Sequence, residues 1–174
     1  MDIEERHSSA LGADERREVI ALCDAAYEEE TARYFADIGA GWHLLGRVDG
    51  VLVAHLMFVT RTLQPADGSM LRTAYVELVA THPAHQGRGH ASALLRAVPA
   101  LVADFDLAAL SPSDEGFYAR LGWTPWRGPL LVRTAGGVEP TPEETIMILR
   151  TPRTPATLDL DGALSVEWRP GEVW

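Results

Sequence analysis

Apolar residues recur along this chain with two different periods, and the places where the period changes mark out its elements. From Asp14 to about Glu28 the positions Val19, Ile20, Cys23, Ala26 and Tyr27 share one helical stripe, and a second short helical segment is predicted from Thr31 to Asp37. Residues 42–48 and 51–59 are strand-like runs, and the Asp49-Gly50 pair between them is favoured in tight hairpins, which predicts two paired strands. After the polar loop Ala66-Asp67-Gly68-Ser69 a further strand is predicted from about Leu71 to Ala80, ending where Pro83 and Gly87 break the pattern. Ala91 to Ala103 predicts a helix with Leu94, Leu95, Val98, Leu101 and Val102 on one stripe, bent or broken at Pro99. A short strand at Phe105 to Leu110, a helix at about Asp114 to Leu121 and a strand pair further on complete the outline. Residues 2 to 8 alternate poorly but are read as a first strand. The order of elements predicts an α/β (α+β) chain, with a mixed sheet carrying helices on its faces.

Composition narrows this picture. At 174 residues, 47% of them apolar, the chain has the size of one domain with a sizeable core, and residues 1–174 are read as that domain. No apolar run approaches the roughly 20 residues that a membrane helix needs. The N-terminus, Met1-Asp2-Ile3-Glu4-Glu5-Arg6, is acidic where a secretion signal would be basic and then apolar, so a cytoplasmic location away from membranes is expected. The lone Cys23 excludes an internal disulfide and sits on the apolar stripe of the first helix, as a core residue rather than a nucleophile. A formal net charge of -10 argues against a nucleic-acid partner and is compatible with a cationic small substrate.

One segment changes the picture further. Tyr75 to Ala91 reads as a strand, a glycine-containing turn and the start of a helix, and that context gives the turn Gln86-Gly87-Arg88-Gly89-His90-Ala91 its meaning. Glycines let the backbone approach an anion closely, while the unpaired N-H groups and the dipole of the helix start favour negative charge. Between Glu77 and Asp104 there is no acid, yet the interval holds His82, His85, Arg88, His90 and Arg96. A diphosphate suits that field. The bland alternative is a tight loop using glycine only for its backbone freedom. No Lys-Ser/Thr follows the second glycine, as a nucleotide P-loop requires, and the third glycine and acid of the dinucleotide fingerprint are missing. The histidines show no metal-ligand spacing, and no metal is expected.

With Gln86, Gly89 and Ala91 at the signature positions, the turn resembles the Gln/Arg-x-x-Gly-x-Gly/Ala motif of the GNAT superfamily of acyltransferases. The run Gly116-Phe117-Tyr118-Ala119-Arg120-Leu121-Gly122-Trp123 is similar to that superfamily's second landmark. The resemblance implies a mixed, mostly antiparallel central sheet with helices on both faces. It also implies acetyl-coenzyme A as co-substrate, with Val79, Thr81, Gln86, Gly87, Arg88, Gly89, His90 and Ala91 binding it.

Acetyl transfer to an amine needs a neutral nucleophile, stabilisation of an oxyanion and a proton for the departing thiolate. On the strand, Thr73, Tyr75, Glu77, Val79 and Thr81 share one face by the two-residue period, and Ala74, Val76, Leu78 and Ala80 form the apolar one. Glu77 is thus a candidate base, acting directly or through water; its structural alternative is a solvent-facing or salt-bridged strand residue. Tyr118 is a candidate acid for a thiolate whose conjugate pKa is about 8.5, its alternative being an aromatic core residue beside Phe117. A backbone N-H near Val79 is the natural oxyanion donor if the strand splays from its neighbour.

Within the superfamily, Tyr75-Val76-Glu77, Leu121-Gly122-Trp123-Thr124-Pro125-Trp126, Thr141-Pro142-Glu143-Glu144 and the tail Glu167-Trp168-Arg169-Pro170-Gly171-Glu172-Val173-Trp174 resemble the aminoglycoside 2'-N-acetyltransferases, over most of residues 71–174. That resemblance implies an aminoglycoside as the cationic amine partner and a homodimer. It assigns Ser111, Glu144 (or its neighbour Glu143), Glu172 and Trp174 to the substrate, with Glu29, among the acids Glu28 to Glu30, replacing a family aspartate. Carboxylates fit a polyamine through charge-assisted hydrogen bonds, and a terminal Trp offers a flat face to a sugar ring. The structural alternative for Trp168 and Trp174 is to seal the domain. Leu78 stands where that family is expected to have Gly, and the segment from Ser111 to Tyr118 is shorter. Two other readings stay open: an acetyltransferase for another polyamine, amino acid or peptide, and a non-catalytic acyl-coenzyme A-binding module.

Overall fold

Asp49 and Gly50 both adopt left-handed backbone angles, φ 51° and 81°. They fold β2 (Trp42–Val48) back on β3 (Val51–Pro65) with Val48 opposite Val51, the two-residue turn expected of an Asp-Gly pair. The computed structural model describes residues 1–66 and 68–174, so Asp67, in the polar loop expected after this hairpin, lies outside the described residues. The remaining elements are β1 (Asp2–His7), α1 (Ala13–Tyr27), α2 (Ala32–Ile38), β4 (Leu71–Thr81), α3 (His90–Leu101), β5 (Leu107–Leu110) and α4 (Glu115–Ala119). They are followed by β6 (Thr124–Pro125), β7 (Leu130–Thr134), β8 (Gly137–Pro140), β9 (Met147–Arg150) and β10 (Leu164–Glu167). The described chain forms two compact units, one of residues 1–59 and 76–98, the other of residues 60–75 and 99–174.

In the first unit β1 pairs antiparallel with β2, and β2 with the opening part of β3. β1 forms despite its poor alternation because all six of its residues find partners on β2. Asp14 and Glu15 sit in the first turn of α1, where negative charge opposes the helix dipole favourably. The buried face of α1 is Val19, Leu22 and Cys23, whereas Tyr27, placed on the stripe by spacing alone, is 41% exposed. Burial pushes the Cys23 thiol up to about 12, with the charge of Asp24 adding to the effect, so the group is an inert core thiol. The carboxylate of Asp24 then accepts from both the backbone N-H and the hydroxyl of Thr31 at 2.7 Å, tying the start of α2 to α1. Helix α3 buries Leu94, Leu95 and Val98 and runs through Pro99 to Leu101. Pro99 has no N-H to give the Leu95 carbonyl, and the helix ends two residues later.

In the second unit the strands lie in the order β6-β9-β5-β4-β3-β10-β7-β8. β4 with β5 and β10 with β7 are parallel pairs; β3 with β10, β5 with β9, β6 with β9 and β7 with β8 are antiparallel. Where a strand pair was expected after α4, there are five strands. They are only two to five residues long, too short and too interrupted by Pro and Gly to show alternation, and long-range pairing sets them. Arg61 organises this unit: Nε donates to Glu167 Oε1 at 2.9 Å, and its two terminal nitrogens donate to the carbonyls of Glu167 and Val173. Gly128 is fixed by close approach, since a Cβ there would lie 1.9 Å from the Gly162 carbonyl oxygen.

Candidate functional site

β4 does not keep the two-faced alternation expected of it. Leu78 has φ 50°, a left-handed conformation that costs a branched residue about 1 kcal/mol or more and twists the strand locally. Residues 77–79 are in consequence all half-buried, and Leu78, expected on the apolar core face, is not in the core. Side chains of the first unit take up two successive carbonyls here. His55 Nδ1 lies 3.1 Å from Leu78 O, and the Tyr27 hydroxyl donates to Val79 O at 3.1 Å. Glu77 stands on the first side of this kink, with Oε1 shielded from solvent.

Past Thr81 the chain makes a 3-10 turn at Pro83–His85, then Gln86 to Gly89, and enters α3 at His90. The Gln86 amide reaches back to Thr81 O at 3.3 Å, and the His82 N-H bonds Val53 O at 3.0 Å, fastening both ends of the turn to strands. Gly87 and Gly89 have φ 71° and 79°, and a Cβ on either would meet nothing within 4 Å, so the backbone here faces open space. His85 is held below its usual range, first by desolvation and then by Arg88, His82 and His90. Its Nδ1 and Thr81 Oγ1 are shielded from solvent and make no hydrogen bond among the described residues. The Arg88 guanidinium, open glycines, orphaned polar atoms and a helix start without acids fit a diphosphate. Among the described residues no group of three or more His, Cys, Asp or Glu is placed to hold a metal.

Glu29, the remaining candidate of this unit, lies between α1 and α2 and accepts from the Tyr34 hydroxyl at 2.9 Å. In the second unit, Ser111, Glu144, Glu172 and Trp174 come together along residues 141–145. Trp174 is buried and donates from Nε1 to Thr141 Oγ1 at 2.8 Å, and Ser111 donates to Thr145 O at 3.3 Å. Desolvation raises the Glu144 pKa and the charge of Glu172 raises it further, which puts those two carboxylates within electrostatic reach. Trp168 is 57% exposed and seals nothing. Tyr118 sits on α4, packed edge-on against Phe117 and Trp123. It is the buried member of the Phe117-Tyr118 pair, and burial raises its pKa, opposed by a hydrogen bond from Ser113.

The family model of an acetyltransferase (GNAT) domain matches residues 8–126, which covers the turn, Glu77 and Tyr118. The chain belongs to the GNAT acetyltransferases. Membership makes it an N-acetyltransferase that draws on acetyl-coenzyme A. A curated GNAT relative, the aminoglycoside 2'-N-acetyltransferase of Mycolicibacterium fortuitum, is 35% identical over 181 residues, 97% of this chain and 89% of its own. Solved GNAT structures share the fold. One is YhbS from Escherichia coli in complex with coenzyme A, with TM-score 0.62 and 14% identity over 94% of this chain and 88% of its own. Another is the Brucella melitensis acetyltransferase in complex with acetyl-coenzyme A, with TM-score 0.57 and 18% identity over 94% of both chains. Against the Eis1 protein of Mycobacterium abscessus, with TM-score 0.60 and 22% identity, 71% of this chain matches but spans only 31% of that longer protein.

Two polar residues were not singled out in the sequence: His55, on the kink of β4, and Arg61, on the tail. The available signal was a histidine or arginine inside an otherwise apolar strand, as at His55 and Arg61. Such a residue is buried only if it is hydrogen-bonded.

Proposed function

We propose that this GNAT protein transfers an acetyl group from acetyl-coenzyme A to an amino group, the 2' amine, of an aminoglycoside. The observation that carries the reading is 35% identity, over 97% of the chain, to an aminoglycoside 2'-N-acetyltransferase. The gathering of Glu144 and Glu172 supports it, because paired carboxylates suit a polyamine through charge-assisted hydrogen bonds.

The turn Gln86 to Ala91, with Thr81 at its entrance, would hold the coenzyme pyrophosphate against the start of α3, with Arg88 adding positive field. When bound, the coenzyme supplies an acetyl thioester. Glu77 attracts the protonated amine and takes its proton, directly or through water. The Val79 N-H, on the kinked part of β4, is the donor for negative charge developing on a carbonyl oxygen. Tyr118, whose raised pKa keeps it protonated at neutral pH, returns a proton to the leaving sulfur. Ser111, Glu144, Glu172, Trp174 and Glu29 bind the amine.

Thiol release from acetyl-coenzyme A with a panel of aminoglycosides, other polyamines, amino acids and peptides tests this reading. Turnover on the drugs is expected. Turnover confined to other amines would replace the acceptor, a reading that Leu78 favours by standing where the aminoglycoside enzymes are expected to have Gly. Tight cofactor binding without turnover would make the protein a binding module. Glu77→Gln should lower kcat by about 100-fold with acetyl-coenzyme A affinity retained, in the range of a lost general base, and an unchanged rate across pH would remove Glu77 from that role.

A further inference from the structure

Two buried histidines lie behind the kink of β4 and take no part in the chemistry described so far. His43 on β2 and His55 on β3 are diagonal neighbours on one face of the hairpin, since His43 pairs with Met57 and His55 with Leu45. Both are buried among apolar residues, and the Phe35 ring packs over them at 6.3 and 5.9 Å between centroids. Polar contacts run through them without a break. The Gly41 N-H donates to Ser8 Oγ at 3.0 Å, Ser8 Oγ lies 2.9 Å from His43 Nε2, His43 Nδ1 lies 2.9 Å from His55 Nε2, and His55 Nδ1 lies 3.1 Å from Leu78 O.

The last of these groups fixes the direction of the whole chain. Two groups meet His55 Nδ1, the Leu78 carbonyl at 3.1 Å and the Cys23 sulfur at 3.6 Å; a carbonyl oxygen only accepts and an S-H is a weak donor that can turn away, so Nδ1 carries the hydrogen and a neutral ring then presents Nε2 as acceptor. His43 must therefore donate from Nδ1 and accept at Nε2, and the Ser8 hydroxyl must donate to it while accepting from Gly41. The reverse arrangement would send the Ser8 proton to the Gly41 carbonyl, 3.0 Å away, and set the His55 Nδ1 lone pair against Leu78 O at 3.1 Å. Two acceptors facing each other in a buried site are unfavourable. Because the chain ends on a backbone carbonyl, it cannot pass a proton on to Glu77; what it can do is hold that carbonyl in place.

We propose that His55, locked in its Nδ1-H tautomer by His43 and Ser8, is a positioning residue that fixes the Leu78 carbonyl and thereby aims the Glu77 side chain and the Val79 N-H that flank it. The Tyr27 hydroxyl on Val79 O is the second point of the same clamp. The left-handed turn at Leu78 is held against its own backbone preference, as strained positions at functional sites are when their surroundings over-determine them. The inference rests on the proposed roles of Glu77 and Val79, and part of its test is independent of them.

Nitrogen-15 correlation spectra of the imidazoles in the wild-type protein report the tautomers directly. Nδ1-H is expected on both His43 and His55, and Nε2-H on either overturns the proposal whatever Glu77 does. Replacing Ser8 by Ala, at the half-buried end of the chain, should admit the Nε2-H tautomer of His43; an unaltered pattern counts against the lock. In kinetics, His55→Asn keeps an amide donor close to the Nδ1 position and should hold kcat within about threefold, while the apolar His55→Leu should lower kcat by about tenfold or more, as misplaced catalytic groups do. The acetyl-coenzyme A KM should stay within about threefold in both, because the turn at Gln86 to Ala91 is untouched. A wild-type kcat in His55→Leu, or equal losses in both variants, overturns the proposal. Full activity of Glu77→Gln would instead defeat the base assignment and leave the tautomer result standing.

Discussion

Leu78 shows how one residue can shape both strand and substrate preference. Its φ of 50° is a conformation that Gly adopts freely and Leu does not. Leu78→Gly should therefore lose part of a half-buried side chain but recover about 1 kcal/mol of backbone strain, leaving the thermal midpoint within a few degrees of wild type. A glycine would also open space along β4 beside Glu77. If the leucine narrows the approach, Leu78→Gly should lower KM for a bulky aminoglycoside and leave KM for a small amine such as a diaminoalkane unchanged, as steady-state thiol release would show. Equal changes for both amines would place the side chain away from the acceptor.

At the scale of elements, what was legible in the sequence is what local chemistry decides. Asp49-Gly50 specifies a two-residue turn and so fixes the hairpin, and the stripe of Leu94, Leu95 and Val98 fixes α3. The turn before α3 was legible because strand, glycines and helix start follow one another in a dozen residues. The kink in β4 was not: nothing local in Glu77-Leu78-Val79 calls for a left-handed residue, and the groups that hold it, His55 and Tyr27, lie 23 and 52 residues away. β6 to β10 were hidden for the same reason, since each is shorter than a recognisable alternation and exists through its partners. Within the turn, backbone and ligand demands can be separated experimentally. Gly89→Ala introduces a Cβ that meets nothing, so its cost is confined to holding φ at 79°, about 1 kcal/mol. If the turn cradles the pyrophosphate, acetyl-coenzyme A should bind about tenfold more weakly by calorimetry, because the turn relaxes away from that angle when free. In the tail, Trp174 is held through Thr141 and the Arg61 contact to Val173 O. Removing Trp174 should raise KM for the amine and not for acetyl-coenzyme A, and wild-type kinetics would remove it from the acceptor site.

For the molecule as a whole, the same histidine pair sets how stability responds to pH. Burial pushes His43 down to about 4, with Arg16 and His7 adding repulsion, and pushes His55 down to about 3, with His43 adding to it. In the unfolded chain both return to about 6.5. Between these values the unfolded state binds more protons than the native one, so unfolding is favoured increasingly as pH falls through 6.5, and stability rises with pH across that window. At pH 5 the two groups together remove about 4 kcal/mol relative to pH 7.5 by this linkage, a large part of the 5–15 kcal/mol typical of a protein's total stability. Glu144 works in the opposite sense, since a carboxyl whose pKa is raised in the native state takes up its proton there first as pH falls. It is one partly exposed group against two buried ones, so the net slope keeps the sign of the histidines. Urea unfolding at pH 7.5 and pH 5 should show the midpoint falling steeply in the wild-type protein. A His43→Gln/His55→Asn variant, which keeps polar donors but has nothing to titrate there, should start less stable at pH 7.5 and lose much less on acidification. A wild-type midpoint that did not move between the two pH values would mean that the pair is not held neutral.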